Sequence, residues 1–159
     1  MTVRLRWLIV RMKTSSISQP HILLVDDCRD GLLVRKTLLE ELGYVVEVAD
    51  NGEEGLKLFE ASNYDVVVTD YRMPRMNGVE LIQRIRAIDP NARIVLLSKV
   101  VEPLGLTEET TGADAVIAKT SSEPANLQRW VKRLLNRGVP RKPPASQKKR
   151  VLAVRSGSR

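Results

Sequence analysis

The sequence predicts an α/β protein: a doubly wound parallel sheet with helices on both faces and right-handed crossovers. Two observations carry that reading. Short apolar runs alternate with stretches of helical periodicity through the middle of the chain. Three of those runs, Ile-Leu-Leu-Val at 22–25, Val-Val-Val at 66–68 and Ile-Val-Leu-Leu at 94–97, are apolar without a break. Central parallel strands buried on both faces have that composition.

The elements follow in order. Strand 22–25 runs into Asp26 and Asp27. Leu32, Leu39 and Leu42 mark the first helix, with Leu33 and Leu38 widening its stripe and Gly43 ending it. Strand 44–48 is interrupted by Glu47, which suits a sheet edge. Asn51-Gly52 then turns the chain into a short second helix near 53–60. Strand 66–69 leads to Asp70, and Leu81, Ile82, Ile85 and Ile88 form a third helix that stops before Pro90. Strand 94–97 ends at Ser98. The helix expected around 104–111 is poor, because Pro103 and Gly105 leave room for about two turns. Strand 115–118 ends at Lys119. Leu127, Val131, Leu134 and Leu135 give the last helix its stripe, ended near Gly138, with Trp130 read as packing at the stripe's edge. No internal repeat is visible.

Composition divides the chain further. It has 159 residues, 26 Lys+Arg, 19 Asp+Glu, one His, one Cys and a formal net charge of +7. Residues 1–19 and 137–159 hold 12 of the basic groups and no acid, so the 117 residues between them carry 14 basic groups against all 19 acids, a net of −5. The expected organisation is a basic, flexible N-terminal extension (1–19), one acidic domain (20–136) and a basic, Pro-containing, disordered tail (137–159). Trp7-Leu8-Ile9-Val10 is far too short to span a bilayer or to form a signal-peptide core, and Met12 is an alternative start. The single cysteine excludes an intrachain disulfide and a Cys-based metal cluster, and fits a reducing cytoplasm. Cys28 beside two carboxylates is not a candidate redox sensor, since neighbouring negative charge disfavours a thiolate.

The chemistry lies at the strand ends, where open α/β sheets bind ligands. Asp26, Asp27, Asp70, Ser98 and Lys119 would converge on one sheet edge. Singly, such residues read as a helix cap, a turn or a solvated cation. Together they suit a hard cation such as Mg²⁺, which takes carboxylate oxygens and relieves their mutual repulsion. A carboxylate beside such a metal can attack phosphorus, while an ammonium and a hydroxyl orient the phosphoryl oxygens.

Ile22-Leu23-Leu24-Val25-Asp26-Asp27, the Asp70-Tyr71-Arg72-Met73-Pro74-Arg75-Met76-Asn77-Gly78 segment, Ser98 and Lys119 resemble the receiver domain of two-component response regulators. The resemblance spans about residues 20–136. It implies a flavodoxin-like five-stranded sheet of order 2-1-3-4-5 with about five helices. It makes Asp70 the phosphoacceptor, with Mg²⁺ or Mn²⁺ held by Asp27 directly and by Asp26 mainly through water, and with Asp70 and the backbone carbonyl of Arg72 completing the protein's share. Lys119 would contact the phosphoryl group and Ser98 would bind and report it. The donor would be a sensor histidine kinase or a histidine phosphotransfer protein, and the output a protein contact. His21, ahead of the first strand, is read as a surface residue.

Three departures from the family pattern stand out. Val116 replaces the usual Tyr or Phe switch residue. Thr120 replaces the proline that often follows the lysine through a cis bond. The fourth helix is weak. A length of 159 residues also leads us to expect a stand-alone receiver without a conventional output domain. As an alternative, the arms of a receiver scaffold, with Lys148-Lys149-Arg150, would bind nucleic acid non-specifically. A phosphatase of the dehalogenase type is disfavoured, because Arg72 stands where its general-acid Asp would be.

Overall fold

The computed structural model describes residues 18–137. In chain order the elements are β1 (His21–Val25), α1 (Arg29–Glu41), β2 (Val45–Ala49), α2 (Gly52–Ala61), β3 (Val66–Asp70), α3 (Gly78–Ile88), β4 (Ile94–Ser98), a 3₁₀ turn (Glu102–Leu104), α4 (Glu108–Thr111), β5 (Ala115–Ala118) and α5 (Glu123–Asn136). The strands form one sheet in the order β2-β1-β3-β4-β5, every neighbouring pair parallel. The predicted architecture and strand order are therefore both present.

Strand alternation builds two cores. Ile22, Leu24, Val66, Val68, Val95, Leu97, Ala115 and Ile117 point to one face, where Leu32 and Leu39 of α1 and Leu127, Val131 and Leu134 of α5 cover them. Leu23, Val25, Val67, Ile94 and Leu96 point to the other, under Leu81, Ile82 and Ile85 of α3. Each fully buried aliphatic side chain contributes about 1.5–3 kcal/mol. β1, β3 and β4 are covered on both faces, which accounts for their unbroken apolar runs. The edge strand β2 leaves Val45 exposed.

Several details differ from the sequence reading. The buried stripe of α1 is Leu32, Arg35 and Leu39, while Leu33 is 65% exposed and Leu42 lies beyond the helix at 44%. Ile88, at the end of α3, is 50% exposed. β2 begins one residue late because the Tyr44 N–H closes α1 by donating to the Leu39 carbonyl. His21 opens β1 rather than preceding it, half-buried with its ring 4.6 Å from that of Tyr64. The weak fourth helix divides at Gly105, whose left-handed φ of 58° separates the 3₁₀ turn from the single turn of α4. Trp130 packs at the rim of the α5 core, with the Arg133 guanidinium 5.0 Å from its ring centroid. All described peptide bonds are trans, including Lys119–Thr120. No described helix is long and apolar enough to cross a membrane. The expectations for residues 1–17 and 138–159, nucleic-acid binding through Lys148-Lys149-Arg150 among them, lie outside the described residues.

Candidate functional site

Parallel strands that start together also end together, and here their ends carry the predicted residues. Asp26 directly follows β1, is 1% exposed, and its backbone N–H donates to the Ala49 carbonyl of β2. Its carboxylate Oδ1 accepts the N–H of Cys28, the residue that precedes α1 and caps nothing with its own side chain. Asp27 is exposed beside it. Asp70 ends β3, 7% exposed, and Ser98 ends β4, 1% exposed. One ligand oxygen from each of Asp26, Asp27 and Asp70 falls within 4.8 Å of the others.

Lys119 ties the cluster together. Its backbone N–H donates to the Ser98 carbonyl, which continues the β4–β5 ladder past the last strand residue. Its ammonium donates to Asp70 Oδ1 at 2.8 Å and to Asp26 Oδ2 at 3.1 Å. Burial pushes the Asp70 carboxyl above the ordinary carboxylate value. Lys119 opposes that rise and the Asp26 charge adds to it. The Ser98 hydroxyl is turned inward, accepting the Val100 N–H at 3.1 Å and donating to the Val100 carbonyl at 3.2 Å.

The residues from 71 to 78 are built to fix Asp70 in place. Met73 and Met76 are buried in the α3 core, so they act as anchors. Asn77 caps α3 by accepting the Glu80 N–H, and the Gly78 N–H donates to the Tyr71 carbonyl. A Cβ on Gly78 would lie 2.2 Å from the Asp70 carbonyl oxygen, so only glycine permits that approach. Arg72 lines the cleft with Asp26, Asp27, Asp70, Ser98 and Lys119, in a space of about 510 Å³. Val116 is half-buried against the α3 core and leaves no aromatic ring at its position.

Two members of this cleft were not foreseen. Arg35 of α1 is 8% exposed. Its Nη1 donates to Asp26 Oδ2 at 2.7 Å and its Nε to Glu123 Oε1 at 2.5 Å. Burial works against the guanidinium's charge, but Glu123, Asp26 and Asp70 outweigh it and raise its pKa. The available signal was position: an arginine three after Leu32 and four before Leu39 sits on the buried stripe.

Two buried carboxylates bridged by a lysine, with an exposed third beside them, lie at the ends of parallel strands, and residues 22–132 match the response regulator receiver domain. The chain belongs to that family. It is 36% identical over 106 residues to a response regulator receiver protein of Anaeromyxobacter sp., covering 66% of this chain and 44% of that one. Among solved structures it resembles the response regulator TrrA of Thermotoga maritima in complex with Mg²⁺-BeF, with a TM-score of 0.66 and 34% identity, over 73% of this chain and 99% of the other. It also resembles the receiver domain of the sensor histidine kinase PA1611 of Pseudomonas aeruginosa, solved with a magnesium ion in its active-site cleft. That match has a TM-score of 0.69 and 26% identity, over 76% of this chain and 100% of the other. The chain spans less than half the length of curated relatives such as the Anaeromyxobacter protein. A receiver is a signalling domain rather than a small-molecule enzyme, and this one carries an acidic cluster of Asp26, Asp27 and Asp70.

Proposed function

We propose that this receiver takes a phosphoryl group from a phosphohistidine onto Asp70 and signals its arrival through protein contacts. The observation that carries the reading is the ammonium of Lys119 bridging Asp70 and Asp26 within a cluster of three carboxylates. A carboxylate oxygen of Asp70 attacks phosphorus as the bond from phosphorus to the imidazole nitrogen breaks. The electron pair leaves with the imidazole. Asp26, Asp27, Asp70 and the Arg72 carbonyl would hold Mg²⁺, or Mn²⁺ in its place, which supplies charge neutralisation at the phosphoryl oxygens. Lys119 orients Asp70 and supplies positive charge to the same oxygens. Ser98 gives up its bonds to Val100 and donates to a phosphoryl oxygen.

With Val116 in place of an aromatic ring, the signal leaves through the segment after Ser98, toward the 3₁₀ turn and α4. The partner at the input side is a sensor histidine kinase or a histidine phosphotransfer protein, and the compartment is the cytoplasm. Residues 20–136 form the receiver body, and the basic segments on either side take no part in the chemistry. Incubation with acetyl phosphate and Mg²⁺ should give a hydroxylamine-labile adduct that Asp70→Asn lacks. Absence of labelling in the unsubstituted chain would overturn the reading.

A further inference from the structure

Arg35 has no part in the phosphotransfer just described, yet it occupies the site's most protected carboxylate. Asp26 Oδ2 accepts from both Arg35 Nη1, at 2.7 Å, and Lys119 Nζ, at 3.1 Å, while Oδ1 accepts the Cys28 N–H at 2.9 Å. Both oxygens are therefore engaged before any divalent cation arrives. The guanidinium is also shared, because its Nε donates to Glu123 Oε1 at the first turn of α5. A buried cation is costly unless paired and hydrogen-bonded, and here two carboxylates from different ends of the chain pair it.

A second observation shows that the fold makes room for this arrangement. Gly31 lies one turn before Arg35 in α1, where glycine is a poor helix former. A Cβ there would lie 2.7 Å from Arg35 Nη1 and 3.4 Å from Asp26 Oδ2. Its φ is not in the left-handed region, so backbone geometry does not require the glycine. The space above it is taken by the guanidinium.

We propose that Arg35 is a positioning residue that competes with the divalent cation for Asp26, and that Glu123 sets the strength of the competition by drawing the guanidinium toward α5. This inference rests on the reading of Asp26, Asp27 and Asp70 as metal ligands. Lys119 already provides the positive charge that a phosphoryl group needs, so a second cation on Asp26 acts mainly against Mg²⁺. Removing the guanidinium lifts that repulsion and leaves Oδ2 with Lys119 as its one side-chain donor. Neutralising Glu123 leaves the guanidinium wholly to Asp26 and increases the repulsion. The two changes therefore act in opposite directions, whereas loss of packing alone would shift both the same way.

The test is a calorimetric titration of Mg²⁺ into the metal-free full chain and into Arg35→Met, Glu123→Gln and Gly31→Ala. Methionine keeps the length and apolar stem of Arg35. Gly31→Ala keeps every charge, favours the helix, and pushes the guanidinium off Asp26. Arg35→Met and Gly31→Ala should bind Mg²⁺ up to roughly tenfold more tightly than the unsubstituted chain. Glu123→Gln should bind it several-fold more weakly. Equal affinities in all four proteins, or weaker binding in both Arg35→Met and Glu123→Gln, would overturn the proposal and leave the metal site intact. Absence of Mg²⁺ binding in all four would instead overturn the metal-site reading beneath it.

Discussion

Asp70 is held in an environment that favours its neutral form, and this has a measurable cost. Burial raises its carboxyl above the ordinary value even with Lys119 at 2.8 Å. An unfolded aspartate ionises near a pKa of about 3.9. The stabilisation that Asp70 gives the fold is therefore complete below that value and is lost as pH rises through the raised native one. At neutral pH the ionised carboxylate opposes folding. Asp70→Asn should accordingly melt at a higher temperature than the unsubstituted chain at pH 7 in chelator, and the gap should narrow as the pH falls, as followed by circular dichroism. Ser98 offers a second residue-scale check. Its hydroxyl alone holds the Val100 N–H from the side-chain direction, so Ser98→Ala should speed hydrogen exchange at Val100 by roughly tenfold, in line with a lost bond of about 1 kcal/mol. Unchanged exchange there would count against Ser98 as the reporter of occupancy.

At the scale of elements, the loop from β3 to α3 fixes the site most tightly. Gly78 lets the first turn of α3 lie against the Asp70 carbonyl, and Met73 and Met76 hold the intervening loop in the core. Gly78→Ala should cost about 3 kcal/mol in urea unfolding, because the clash is with backbone that cannot rotate away. How far the elements could be read from the chain depends on what covers them. β1, β3 and β4 were legible because helices on both faces demand unbroken apolar runs. α1 was legible as a helix, but not its buried face. Five leucines between 32 and 42 blur the stripe, and the residue that completes it is an arginine. Arg35 reads as a solvated charge until Glu123, 88 residues away, is brought beside it. Asp26, Asp27, Asp70, Ser98 and Lys119 were legible for the opposite reason, since each sits at a strand end where position alone brings them together.

For the whole molecule, metal binding at the proposed site would be linked to stability. A cation bound only by the folded chain stabilises it by about 2.7 kcal/mol at a hundredfold excess over its Kd. Thermal unfolding should therefore shift upward by several degrees with Mg²⁺ and return with chelator, and the shift should shrink in Asp70→Asn. No shift at millimolar Mg²⁺ would argue against a metal site formed by Asp26, Asp27 and Asp70. The strand order adds a consequence for synthesis, because the chain emerges N-terminal end first. β2, β1 and β3 are neighbours in the sheet and the first three strands made, so Asp26, Asp27 and Asp70 can meet before β5 exists. Lys119 arrives only with the last strand. Arg35, nine residues from Asp26, is already on the emerging chain, and its contact with Asp26 spares the incomplete sheet a cluster of carboxylates without a counter-charge.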